Sequence, residues 1–64
     1  MFNPVELERL RGAMTAIAQA LADRDLSAAS VTAGLTGYGA VAAEQARTLL
    51  ADCLGTPGGN IIIV

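Results

Sequence analysis

The chain has 64 residues, a formal net charge of −2 and a hydrophobic fraction of 53%. A chain of this length forms one domain at most and buries only about 60% of the surface that it exposes when unfolded. Its single cysteine, Cys53, excludes an internal disulfide, and the absence of histidine excludes the usual zinc clusters. Thirteen of the apolar residues are alanine. The core is therefore thin, and we expect the domain to gain stability from a partner or from self-association.

The charge balance and the apolar pattern exclude further classes of protein. Four arginines and no lysine stand against six acidic residues, whereas a nucleic-acid binder needs a basic stripe. The longest run of large apolar residues covers only residues 61–64, which is too short to span a membrane. Acidic residues follow soon after Met1, unlike the cationic start of a signal peptide. Together with the free thiol, this predicts a cytoplasmic protein.

The first predicted helix covers residues 4–24 and has the clearest local signals. Asn3 is a good N-cap, a proline follows it, and Glu6 completes a capping box. Phe2 stands where it can contact Leu7 in a hydrophobic staple. The apolar residues of this segment are spaced three or four apart and predict one buried helix face. They are Leu7, Leu10, Met14, Ile17 and Leu21.

A short second helix is predicted over residues 26–33. Asp25 or Ser27 is placed to cap its first turn, and Gly34 is placed to end it. The segment also contains Val31 and Thr32, which are mediocre helix formers, so its pattern is the least regular of the three.

Thr36 is placed to cap the third predicted helix, although Gly37 and Gly39 weaken its first turn. Residues 40–54 are helix-forming throughout. Leu50 and Leu54 lie on its apolar face, and Gly55 followed by Pro57 is a strong stop signal. The expected fold class is therefore all-α, a small three-helix domain with a flexible, extended C-terminal tail. Wherever the many alanines face inward, the helices of this bundle can approach one another closely.

The sequence divides into a helical domain at residues 1–55, a Gly/Pro linker at 56–60 and an aliphatic tail at 61–64. The linker signal comes from Gly55, Pro57, Gly58 and Gly59. The tail consists of four β-branched residues with no charge beside them, a pattern prone to strand pairing and aggregation. Because no second strand is predicted, we expect something else to receive the tail. Its residues are Ile61, Ile62, Ile63 and Val64.

Several fates of the tail remain open at this point. It can fold back over the helices, pair with the edge of a partner's sheet, or place its carboxylate in a binding groove. It can also act as a degradation or sorting signal, or as the substrate of a modifying enzyme. Catalysis by the chain itself is not expected, because it has no histidine and Cys53 has no imidazole partner.

The order of helical domain, linker and aliphatic tail resembles the precursor of a ribosomally made, post-translationally modified peptide. It is most similar to the separate precursors of split borosin systems. The resemblance is carried by the turn Ala33-Gly34-Leu35-Thr36, by the helix end Leu49-Leu50 with Leu54-Gly55, and by the tail.

This resemblance implies a leader and core peptide in natural product biosynthesis, with the helical domain docking on a partner methyltransferase in a hetero-oligomer. The chain would bind no cofactor, while the partner would use S-adenosylmethionine for backbone α-N-methylation of Ile61, Ile62, Ile63 or Val64. The alternating direction of residues in an extended peptide favours either Ile61 and Ile63 or Ile62 and Val64. The alternative is an adaptor or antitoxin-like binding module whose tail pairs with a partner's sheet edge or carboxylate-binding groove.

Overall fold

A computed structural model describes all 64 residues, which form two α-helices and two short strands. In chain order these are α1 (Pro4–Ala22), β1 (Val31–Ala33), α2 (Ala40–Leu54) and β2 (Ile61–Ile63). The strands pair in parallel, with Val31 opposite Ile61 and Ala33 opposite Ile63. The expectation of an all-α, three-helix bundle is therefore wrong, because the fold is mixed α/β.

The start of α1 follows the local sequence signals. The Glu6 amide donates to Asn3 Oδ1 at 2.9 Å, and the Asn3 amide donates to Glu6 Oε1 at 3.1 Å. This reciprocal pair confirms the predicted capping box. Leu7 packs against the cluster that contains Phe2, as a hydrophobic staple requires.

The end of α1 explains why no second helix follows. The amides of Asp25 and Leu26 donate to the carbonyls of Ala22 and Leu21, at 3.0 and 2.9 Å. This is the Schellman pattern, and Asp25 takes the left-handed conformation that it requires, with φ 55°. Asp25 therefore closes α1 at Ala22, before the predicted end at residue 24, and does not cap a new helix.

The second predicted helix, residues 26–33, is wrong. Its first part has no regular structure, and its last three residues form β1. Val31 and Thr32 are β-branched and therefore suit an extended backbone. They become a strand because β2, thirty residues further along the chain, supplies the hydrogen-bonding partner.

Helix α2 connects the two strands and ends where the sequence predicts, but Thr36 does not cap its start. A parallel pair needs such a crossover, because a tight turn cannot bring two parallel strands side by side. Gly39 precedes the helix with φ 92°. Gly55 ends it in the left-handed conformation with φ 68°, which confirms the predicted stop.

The core lies where α1, α2 and the sheet meet, and small residues let these elements approach. Ala42 is fully buried, Ala46 nearly so, and both pack with Phe2. The Phe2 amide donates to Gln45 Oε1 at 2.8 Å, which fixes the N-terminal segment on α2. Near the other end of the interface between α1 and α2, Arg11 pairs with Asp52. These two contacts show that α1 and α2 run in the same direction.

Candidate functional site

The C-terminal tail is part of the sheet. Ile61 is 2% exposed and Ile63 is half-buried, whereas Ile62 and Val64 remain exposed. Ile63 packs against the cluster of Phe2 and the buried alanines of α2. The expectation of a flexible, extended tail is therefore wrong, and the fate that the structure favours is folding back onto the domain.

The segment between α2 and β2 is also ordered by specific contacts. Thr56 is buried, and its hydroxyl donates to the Ala28 carbonyl at 2.7 Å. Pro57 precedes a short 3₁₀ turn, Gly58–Asn60, that leads directly into β2. The segment predicted as a linker thus ties the loop before β1 to the strand after α2.

The direction of each backbone amide in β2 follows from the hydrogen bonds at its end. The Val64 amide donates to the Ala33 carbonyl at 2.8 Å, and the Leu35 amide donates to the Val64 carbonyl. Because N–H groups alternate in direction along a strand, the Ile62 amide also faces β1. The amides of Ile61 and Ile63 therefore face the outer edge of β2.

The two outer edges of the sheet differ. On the β2 side, the Arg47 guanidinium donates to the carbonyls of Ile61 and, at 3.2 Å, Gly58. A charged side chain laid along an edge in this way blocks further strand pairing. On the β1 side, the alternation turns the amide and carbonyl of Thr32 outward, away from β2, and Thr32 is exposed. The outer edge of β1 is therefore open.

One face of the sheet is open as well. Val31, Ala33, Ile61 and Ile63 are the more buried residues of the strands, while Thr32 and Ile62 alternate with them and are exposed. Parallel sheets are ordinarily covered on both faces. Ile62 is 55% exposed, so an apolar side chain lies on the uncovered face, across from Thr32 on the neighbouring strand.

A groove of about 610 Å³ separates the exposed sides of α1 and α2. Its apolar floor is formed by Leu7, Val41 and Leu49. The charged residues along its edges are Glu8, Arg11, Glu44 and Asp52. Arg11 Nη1 donates to Asp52 Oδ2 at 3.0 Å, a hydrogen bond that raises the pKa of the Arg11 guanidinium.

The residues predicted as the helical core differ in burial. Leu50 is buried, and Leu54 is half-buried. Leu7, Leu10, Met14 and Leu21 are half-buried, while Ile17 is 54% exposed. The reason lies in the offset of the helices: Arg11, not yet half-way along α1, already pairs with Asp52 near the end of α2. The last turns of α1 have little of α2 beside them.

The side chains with catalytic potential are few. Cys53 is half-buried, and Arg11 Nη1 lies 3.8 Å from its Sγ. Tyr38 stacks on Phe2 with ring centroids 5.3 Å apart. No group of three or more Cys, Asp or Glu side chains is arranged to hold a metal ion. Neither helix has the length and apolar content needed to cross a membrane.

No family model, curated protein or solved structure matches the chain. Three features of the candidate site were not predicted from sequence: β1 as a strand, Arg47 as the cover of the β2 edge, and Thr56 as a buried anchor. Only β1 had a local signal, the β-branched pair Val31-Thr32.

Proposed function

We propose that the chain is a non-enzymatic binding module that accepts an extended strand of a partner protein at the outer edge of β1. The observation that carries the proposal is the difference between the two sheet edges, one covered by Arg47 and one open at Thr32. Main-chain hydrogen bonds to such an edge are a common mode of peptide recognition. The free Cys53 thiol favours a cytoplasmic setting for the module.

The exposed surface also supports a bound state. The chain has 4253 Å² of accessible surface, whereas a folded monomer of its mass has about 3,800 Å². A two-stranded sheet is marginal by itself. A third strand beside β1 would pair the Thr32 backbone and extend the uncovered face that carries Thr32 and Ile62.

Substitution of Thr32 by proline tests this mode of binding. Proline removes the outward N–H of β1 and leaves the bonds to β2 intact, since Thr32 faces away from them. Peptides selected from a displayed random library against the full chain are the probes. We expect the affinity of these peptides to fall at least about tenfold in Thr32→Pro, because the variant loses a main-chain hydrogen bond and adds a steric conflict. Fluorescence anisotropy measures the change.

Thr32→Val is the matched control, because it keeps the backbone N–H and the β-branched shape. It is expected to bind the selected peptides as the native chain does. Hydrogen exchange should show slower exchange of the Thr32 amide in the native complex. If Thr32→Pro remains folded by circular dichroism and binds the peptides undiminished, the β1 edge is not the binding surface.

The peptide-precursor hypothesis is a second candidate, and the register of β2 favours particular positions within it. Methylation of Ile61 or Ile63 would remove no hydrogen bond to β1, whereas methylation of Ile62 or Val64 would remove one. Since Ile61 is buried, Ile63 is the more accessible of the two outward amides. In this candidate function, S-adenosylmethionine would bind to the partner methyltransferase, and this chain would bind no cofactor.

Co-expression of the full chain with a split-borosin methyltransferase tests this candidate. Intact-mass and fragment spectra are expected to show methylation at Ile63 first. Methyl groups confined to Ile62 and Val64 would contradict the register argument. A tail that stays unmodified beside a methyltransferase active on its own precursor would overturn the precursor hypothesis.

A further inference from the structure

The groove between α1 and α2 is distinct from the sheet edge and has its own chemistry. The groove floor (Leu7, Val41 and Leu49) is apolar, and Val41 is 57% exposed on it. The groove edges carry the four charged residues named above. Its two ends are tied by the contact of Phe2 with Gln45 and by the ion pair of Arg11 with Asp52. These two contacts fix the position of α1 relative to α2 along the groove.

The charges along the groove edges do not balance. Three carboxylates face a single guanidinium, and Arg11 is already engaged with Asp52. Glu44 forms an ion pair with Arg47, with Oε1 3.7 Å from Nε, so Glu8 is the one carboxylate of the groove without an ion pair or a hydrogen bond. The unpaired Glu8 and the acidic excess of the groove lining favour a cationic ligand and repel phosphates and acidic peptides.

The shape of the groove fits a third helix. From Pro4 to Arg11, α1 rises about 10 Å, two turns of helix. A helix that lies between two others rests about 8–10 Å from each axis. It would place two apolar side chains, one turn apart, on the groove floor. Residues flanking that apolar stripe would then lie beside Glu8 on one edge and Glu44 on the other.

We propose that this groove binds a helical segment of a partner protein, with leucine-like residues on the groove floor and lysine or arginine residues along the groove edges. An apolar stripe seated between two helices is an established mode of helix recognition. The negative charge along the groove edges favours a helix that carries basic residues over one that carries acidic residues. The surface operates independently of the strand proposed at β1.

A fluorescein-labelled amphipathic peptide of leucine and lysine is the probe, and its counterpart with glutamate in place of lysine is the peptide control. We expect the lysine peptide to bind and its affinity to fall as salt rises. The glutamate peptide should not bind. In Glu8→Gln/Glu44→Gln we expect affinity to fall about tenfold, since two surface charges are removed.

A matched variant separates the groove from general charge attraction. Asp23→Asn/Asp25→Asn removes two carboxylates from the far end of α1, and asparagine tolerates the left-handed backbone of Asp25. It should bind the lysine peptide as the native chain does. Val41→Gln, a neutral polar change at an exposed position of the groove floor, should weaken binding by removing the apolar contact without adding charge.

Three outcomes would overturn the proposal. One is failure of the lysine peptide to bind the native chain. Another is equal weakening in the groove variant and in the Asp23/Asp25 variant, which would indicate nonspecific attraction. The third is unchanged binding in Val41→Gln. Thr32→Pro is expected to leave the lysine peptide bound, so a failure of the strand proposal does not decide this one.

Discussion

Replacing Ile61 by alanine is expected to leave much of the chain unfolded at 25 °C. Ile61 is 2% exposed and begins β2, so its truncation removes buried contacts and leaves a cavity. Such substitutions destabilise a protein by about 2–5 kcal/mol. A core of this size supplies roughly 3–5 kcal/mol in total. Urea denaturation followed by circular dichroism at the helix band measures the loss.

Ile62→Ala is the matched control, since the same residue type stands next in the strand with its side chain exposed. Its effect is expected to stay within about 0.5 kcal/mol. The comparison distinguishes a strand of the core from a tail held away from it. If Ile61→Ala has the same urea midpoint as the native chain, β2 is not part of the folded core.

Enlarging Ala42 to leucine is the second large effect that we expect. Ala42 is fully buried and packs with Phe2 and Ala46 where α1 approaches α2. A leucine at this position must push the helices apart or take a strained rotamer, at a cost of about 1–3 kcal/mol. The same urea titration measures the destabilisation, and the Phe2 ring resonances should shift in the NMR spectrum.

The control for this change is Ala16→Leu on the exposed side of α1. It makes the same chemical change at an exposed helix position, where the larger side chain displaces no neighbouring residue. The free energy of unfolding should therefore change by no more than about 0.5 kcal/mol. An Ala42→Leu variant as stable as the native chain would mean that the helices do not approach closely there. The buried alanines would then reflect helix propensity alone.

The parts of this fold that could be predicted from sequence are those set by neighbouring residues. The capping box of Asn3 and Glu6 starts α1, and the left-handed Gly55 ends α2. Both signals depend on hydrogen bonds within one helical turn, so they need no knowledge of distant residues. The start of α2 was not predicted in this way, because the helix begins after Gly39 with no side-chain cap and Thr36 does not cap it.

The candidate site was predicted only in part. The tail was expected to require a receiver and to favour strand pairing, and it does form a strand. The choice of receiver depends on Val31–Ala33, whose propensity is compatible with more than one structure. Arg47 donates to the Ile61 carbonyl at the β2 edge, and Thr56 donates to the Ala28 carbonyl in the loop before β1. Both contacts join residues that are distant in sequence, so local sequence patterns do not predict them.

The sequence by itself determined the two long helices, the start of α1, the end of α2, the thin alanine-rich core and the β-branched character of the tail. Tertiary structure decided that the tail belongs to the domain and that a helix predicted before α2 is instead a strand. Those decisions depend on the pairing of Val31 with Ile61 across thirty residues. A strand is stabilised by hydrogen bonds to another segment, while a helix contains its own, so only the assembled chain could specify the sheet.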